Sequence, residues 1–284
     1  MTPRPMYWSI RRELWENRSL YIAPLIAIAI ALLAFLFSTI RLPQQMRTLD
    51  PSQKQQLVSM PYSAVAGLTI LIGFIVGAYY CIDALHGERR DRSILFWKSL
   101  PVSDRTTVLA KASIPLVVQP LIGFGIIVAA QLFMLIWSSM VLTVSGVGAA
   151  ALWSQLPLGQ MTIALVYALI AIALWHALIY AWLLLISAWA RRAVILWAIL
   201  PLVAIQIFER IAFGTTHVQQ WIRYRMLGWY TQAFVQTNLP TDRDPLTLLT
   251  PAKFLTTPGL WVGLLFAAAF IATAIELRRN REPI

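Results

Sequence analysis

Charge is what this chain of 284 residues has least of: 12% of it is Asp, Glu, Lys or Arg, against 59% hydrophobic residues and a mean hydropathy of +0.68. A soluble domain carries about 25% charged residues, so that class is excluded. Acidic residues are the scarcer kind, 12 against 23 Lys and Arg, giving a formal net charge of +11. The excess does not call for nucleic acid, because the basic residues gather at the ends of apolar runs, as in segments anchored among lipid headgroups. Cys81 is the only cysteine, which rules out an intrachain disulfide and a thiolate metal cluster. There is no Gly-x-x-x-x-Gly-Lys-Ser/Thr phosphate loop, no His-Glu-x-x-His and no Gly-x-Ser-x-Gly. The three histidines, His86, His176 and His217, fall in three separate regions. No catalytic residue, cofactor or metal site is expected in this chain.

What is present is a series of long apolar runs. A span needs about 20 apolar residues, and six stretches qualify: about 20–41, 62–82, 112–142, 160–190, 193–212 and 259–276. The chain is therefore expected to be all-α, a single polytopic membrane domain over residues 1–284 with six transmembrane helices. The first run reads as a retained span, since a charged, Trp-containing lead precedes it and no small-residue cleavage site follows. That lead, residues 5–19, places Met6, Tyr7, Ile10 and Leu14 at helical spacing, with Arg11, Arg12, Glu16 and Arg18 elsewhere around the turn. It predicts an amphipathic helix in the membrane surface with Trp8 and Trp15 as anchors.

Residues 42–61 are polar and contain Asp50-Pro51-Ser52, a turn signal that predicts a modest external loop. Gly73-x-x-x-Gly77 in the second run allows close helix approach, as a packing or dimer face or simply as membrane-helix glycine. Pro115 and Pro120 predict a kink in the third span. Between 213 and 258, Trp221, Tyr224, Trp229, Tyr230 and Phe234 alternate with Arg223 and Arg225, which suits short helices at or dipping into the outer interface.

The densest charged segment lies between the second and third runs: Asp83-Ala84-Leu85-His86-Gly87-Glu88-Arg89-Arg90-Asp91-Arg92-Ser93, then an apolar stretch with Phe96 and Trp97, then Leu100-Pro101-Val102-Ser103 and on to Lys111. Residues 94–100 can form about two turns of helix, capped by Ser93 or Asp91 and stopped by Pro101. An exposed hydrophobic pair on a water-facing loop marks a docking surface.

This order, Glu88-Arg89, a short apolar helix, Leu100-Pro101-Val102-Ser103 and Lys111 opening the next span, resembles the ABC-2 family of transporter permeases. The sequence reads Asp91-Arg92-Ser93 where the commoner family pattern has a glycine and a threonine. The resemblance implies a cytoplasmic coupling helix seated in a groove of a separate ATPase, which carries the ATP and magnesium. It implies that Phe96, Trp97 and Leu100 bury into that groove, that Glu88, Arg89, Asp91 and Arg92 brace the loop beside Pro101, and that Lys111 anchors span three at the headgroups. It implies a second copy or a homologous permease as partner, external interfacial or re-entrant helices between spans five and six, and relatives that export peptides, lipids or polysaccharides. Counting Lys and Arg with the amino terminus inside gives 15 on that side and 8 on the other. Both termini and the 83–111 loop are expected in the cytoplasm of a bacterium, with the chain multi-pass in its cytoplasmic membrane.

Two intramembrane polar residues stand out. His176, mid-span four, is either a proton relay or substrate ligand, or a neutral imidazole bonded to a neighbouring helix. Glu209, late in span five, is read as structural. The expected function is the transmembrane permease subunit of an ATP-driven exporter of an amphiphilic, lipid-like or peptide substrate, not itself an enzyme. The alternatives are a non-transporting scaffold that binds another cytoplasmic partner and an ion-coupled carrier, which the absence of an internal repeat disfavours.

Overall fold

The computed structural model describes residues 5–48, 50–94, 102–146, 148, 150–235 and 245–280, and among them the chain is helical with no strand. Six helices are long and apolar enough to cross a membrane. In chain order the helices are α1 Pro5–Glu16, α2 Ser19–Ser38, α3 Leu42–Thr48, α4 Pro51–Asp83, α5 His86–Arg90, α6 Asp104–Ser113, α7 Gln119–Val144, α8 Ala150–Gln155, α9 Leu158–Trp189, α10 Val194–Phe213, α11 His217–Ala233, α12 Pro251–Thr256 and α13 Pro258–Asn280.

Several boundaries differ from the sequence reading. The expected loop at 42–61 is instead α3 and the first turns of α4. Asp50 is extended and Pro51 occupies the first helical turn, so the turn signal is a helix start, where a missing N–H donor costs nothing. With 33 residues α4 is about 50 Å long and outruns a hydrocarbon core of about 30 Å. Its polar Gln53-Lys54-Gln55-Gln56 turns therefore extend past the apolar part. Span three likewise starts earlier than expected. Ser103 caps α6 by accepting from the Thr106 amide at 3.2 Å, and α6 joins α7 through one π-turn over Ile114–Val118. Pro115 and Pro120 remove two backbone donors, and the wider turn re-pairs the ladder, the Gln119 amide reaching the Ile114 carbonyl. The last helix runs on through Arg278 and Arg279, which had been expected in a tail beyond the span.

α9 is the central post. It packs most extensively on α13 and also meets α4, α7, α10 and α11. Leu184, Ala188 and Tyr180 of α9 join Tyr80, Cys81, Val108 and Ala274 in one core. Farther from the chain ends, α2, α4 and α7 enclose Ile28, Tyr62, Met134 and Leu142. The glycine pair of α4 serves packing within the chain: the Gln119 amide donates to the Gly73 carbonyl at 2.6 Å, and a Cβ at Gly77 would lie 2.7 Å from Gln119 Oε1. α10 is the least enclosed span, with Ile195, Leu200, Phe208 and Ile211 exposed. A left-handed Gly214 ends it.

Candidate site: a buried ionic cluster where the chain ends meet

α1, α5, α6 and the end of α13 converge at one end of the bundle. On α1, Ile10 and Leu14 pack on the core, and Glu13 shares their stripe, so its carboxylate points inward and is 1% exposed. Taking a carboxylate out of water is costly unless it is paired and hydrogen-bonded. Glu13 Oε1 accepts from Lys111 Nζ at 2.8 Å and from Arg12 Nη2 at 2.5 Å, and Oε2 accepts from the Tyr80 hydroxyl at 2.7 Å. Burial pushes the Glu13 carboxyl up, but the Lys111 ammonium and the Arg12 guanidinium more than reverse this and hold it below the usual glutamate range.

Glu88 is the second hub. Its Oε1 lies 3.1 Å from both Arg12 Nη2 and Lys111 Nζ, and its Oε2 accepts from Arg278 Nη2 at 3.0 Å. Arg278 also pairs with Asp104 at the start of α6. Three cations, Arg12, Lys111 and Arg278, thus meet Glu13, Glu88 and Asp104, and Arg12 Nε also stands 3.5 Å from the half-exposed Glu16 carboxylate. The cluster ties together segments that are up to 190 residues apart.

A second set of bonds clamps α5 to the end of α9. Arg89 is buried and donates from Nη1 to the Ala188 carbonyl at 2.6 Å. Ser187 Oγ accepts from the Leu85 and His86 amides at 3.1 and 2.9 Å. Gly87 leaves room for the Asp83 carboxylate, which a Cβ there would meet at 3.1 Å.

The candidate residues of the sequence reading are placed as follows. Glu88 and Lys111 come together, but Lys111 is 2% exposed, so it does not face headgroups as expected. A buried ammonium needs anions beside it, and the fold supplies two, Glu13 and Glu88. Glu88 pairs with Arg12, Lys111 and Arg278, not with the neighbouring Arg89, Arg90 or Arg92. Arg12, expected on the water-facing side of α1, belongs to the cluster. Asp91 pairs with Arg90 at 3.0 Å at the surface, where such a pair contributes little. Arg92 has left-handed backbone, φ 57°. Ser93 and Ile94 are helical and Ile94 is buried. Phe96, Trp97, Leu100 and Pro101 lie outside the described residues.

Arg11, Trp8 and Trp15 share the face of α1 turned from the bundle, the guanidinium carbon standing 5.4 and 4.5 Å from the two ring centroids. Trp8 and Trp15 are exposed. Tyr7, expected on the inward stripe, is exposed too. His176 bridges two backbone carbonyls, Ile172 at 3.0 Å and Met226 at 3.3 Å, and so pins α11 to the middle of α9. Glu209 caps α11 from the preceding helix, accepting from Thr215 Oγ1 at 2.7 Å and from the His217 and Val218 amides at 2.7 and 2.8 Å.

The sequence reading missed Glu13, Tyr80, Asp104 and Arg278. Glu13 was detectable as an acid on an apolar stripe, and Arg278 as a base continuing the stripe of Ile271 and Ala274. Asp104 and Tyr80 carried no such signal.

No protein family, curated protein or solved structure matches the chain.

Proposed function

We infer that this chain is the transmembrane permease subunit of an ATP-driven exporter of the ABC-2 type, moving an amphiphilic substrate by coupling to a separate ATPase. The observation that carries the reading is the place of the ionic cluster. Residues 94–100, the segment resembling a coupling helix, are entered through α5 and left through α6. Both flanks are fixed to the bundle by buried charge: Glu88 and Arg89 on one side, Asp104 and Lys111 on the other.

A push on 94–100 would therefore reach α1 through Arg12 and Glu13, α13 through Arg278, and α9 through Arg89. The π-turn below α6 gives span three a place to bend. A loop with no mechanical task would not need both flanks tied into the interior. In this reading the cluster end, with both chain termini, faces the cytoplasm of a bacterium, and α1 lies in the inner surface of the membrane on Trp8 and Trp15. α11 and α12 are the re-entrant elements between spans five and six. ATP and magnesium belong to the partner subunit, and a second copy or a homologous permease completes the pathway.

The test is co-purification of the detergent-solubilised chain with the ATPase encoded beside it, comparing wild type with Phe96→Ala/Trp97→Ala. Retention by wild type and loss from the folded double variant is the expected result. No association with either form sinks the exporter reading and leaves a scaffold.

A further inference from the structure

α9 ends beside the ionic cluster, where Ser187 and Ala188 hold α5, and α10 sets off from there. Arg210 is one turn short of the other end of this 20-residue helix. It therefore stands at the end of the bundle remote from the cluster, at the depth where a span of about 20 residues meets headgroups. Among the described residues its guanidinium makes no ion pair or hydrogen bond, and neither do the side-chain amides of Gln206 and Gln219.

These three residues line one cavity of about 230 Å³ between the end of α10 and the start of α11, together with Ile207, Thr215 and Thr216, and polar atoms stand open on its wall. The volume is below the roughly 300–1,000 Å³ of sites for drug-sized molecules, so it suits a headgroup and not a whole lipid. No carboxylate belongs to the lining. Glu209, next in the chain, is turned to α11, with its oxygens taken by Thr215 Oγ1 and the His217 and Val218 amides.

An apolar track leads away from the cavity. Ile207, Val203, Leu200 and Leu196 follow Arg210 back along α10 at steps of three or four, so they share a face, and all four are exposed. From Arg210 to Leu196 is about 21 Å of helix, longer than half of a hydrocarbon core of about 30 Å. One cation among uncharged amides and hydroxyls, with a leaflet's length of apolar surface beneath, matches a phosphodiester that carries chains and an uncharged, hydroxyl-bearing headgroup. The guanidinium can take two phosphate oxygens at once, and each amide can both donate to and accept from a hydroxyl. An amine headgroup would bring a second cation beside Arg210 with no carboxylate in the cavity to meet it.

We propose that this cleft binds an anionic phospholipid of the leaflet remote from the ionic cluster. Its phosphate lies on Arg210, its headgroup hydroxyls meet Gln206, Thr216 and Gln219, and a chain follows Ile207, Val203 and Leu200. The proposal needs only that the chain spans a membrane and does not rest on the exporter reading.

The experiment uses the purified full-length chain, stripped of lipid in a neutral polyoxyethylene detergent and titrated with phosphatidylglycerol while native mass spectrometry counts the lipids bound. The first lipid is expected to bind saturably, and phosphatidylcholine with the same chains about tenfold more weakly. Arg210→Gln raises the dissociation constant of that first lipid about tenfold or more, the loss of a charge-assisted bond. Arg210→Lys keeps part of the affinity, and Gln219→Leu costs less than Arg210→Gln. Arg41→Gln removes an exposed arginine just past α2, at the same end of the bundle but outside the cleft, and leaves binding unchanged. Equal binding of the two lipids by wild type, a comparison that needs no variant, overturns the proposal. So does unchanged affinity in a folded Arg210→Gln protein. Equal losses in Arg210→Gln and Arg41→Gln make this the ordinary headgroup contact of any interfacial arginine, and displacement by the same concentration of chain-free glycerol phosphate makes it a plain anion site; either result overturns it as well.

Discussion

The chain buries basic residues in two places and treats them in opposite ways. At the end of the bundle, Lys111 and Arg278 each touch two carboxylates, and Glu13 takes a tyrosine hydroxyl as well. Beside the middle of α9, Arg225 has an indole face and, among the described residues, no anion. In the first arrangement the charges hold one another, and with them the segments that carry them. In the second the charge is held by packing against Trp175 and Gly263. Burial alone does not say how a charge is kept in place; the groups around it do.

The contrast is easiest to break at Lys111. Lys111→Met strands Glu13 and Glu88 without their shared cation and is expected to cost about 3–5 kcal/mol, read as a lower melting temperature in detergent. Adding Glu13→Gln should return part of that loss, because a neutral amide tolerates the site. If the double variant is no better than the single one, the two residues are not coupled and the cluster is not the unit described here.

Acid offers a milder route to the same bonds. The Glu13 carboxyl is held low in the folded chain, so its contribution is complete above the ordinary glutamate value of about 4.3 and is lost only as pH falls through the lower folded value. The melting temperature should stay level from pH 7 to pH 5 and fall below about pH 4. A decline that begins near neutrality would mean that some other group controls stability.

A local effect is expected at Glu209. Glu209→Ala frees the amides of His217 and Val218, and hydrogen exchange there should quicken while the rest of α11 is little changed. Uniform loosening of α11 would show that Glu209 supports more than the first turn.

The smallest effect belongs to Arg225. Arg225→Met gives up a cation–π contact of about 0.5–2 kcal/mol and also removes a buried charge that has no anion, so the melting temperature should stay within a degree or two or rise. A loss as large as that of Lys111→Met would erase the contrast between the two regions and point to a partner for Arg225 beyond the described residues.

Much of the architecture could be read along the chain. Six apolar runs gave six helices, and the short break at Arg191-Arg192 between the fourth and fifth runs is a real boundary. The same reading placed a loop where α3 and the first turns of α4 lie, because polar composition says where a helix leaves lipid and not where it ends. It expected short helices at or dipping into an interface around Arg225, but not that α11 would lie against the middle of α9.

What the sequence determined alone is the helical class and the number of candidate spans, since both follow from hydropathy and backbone pairing within about 20 consecutive residues. Only the tertiary structure decided which charges meet. Glu13, Glu88, Lys111 and Arg278 are far apart along the chain, and nothing in the neighbours of any one of them names its partner. Their pairing is fixed by the packing of α1, α6 and α13 at one end of α4 and α9, which brings opposite charges within about 3 Å where burial strengthens their attraction.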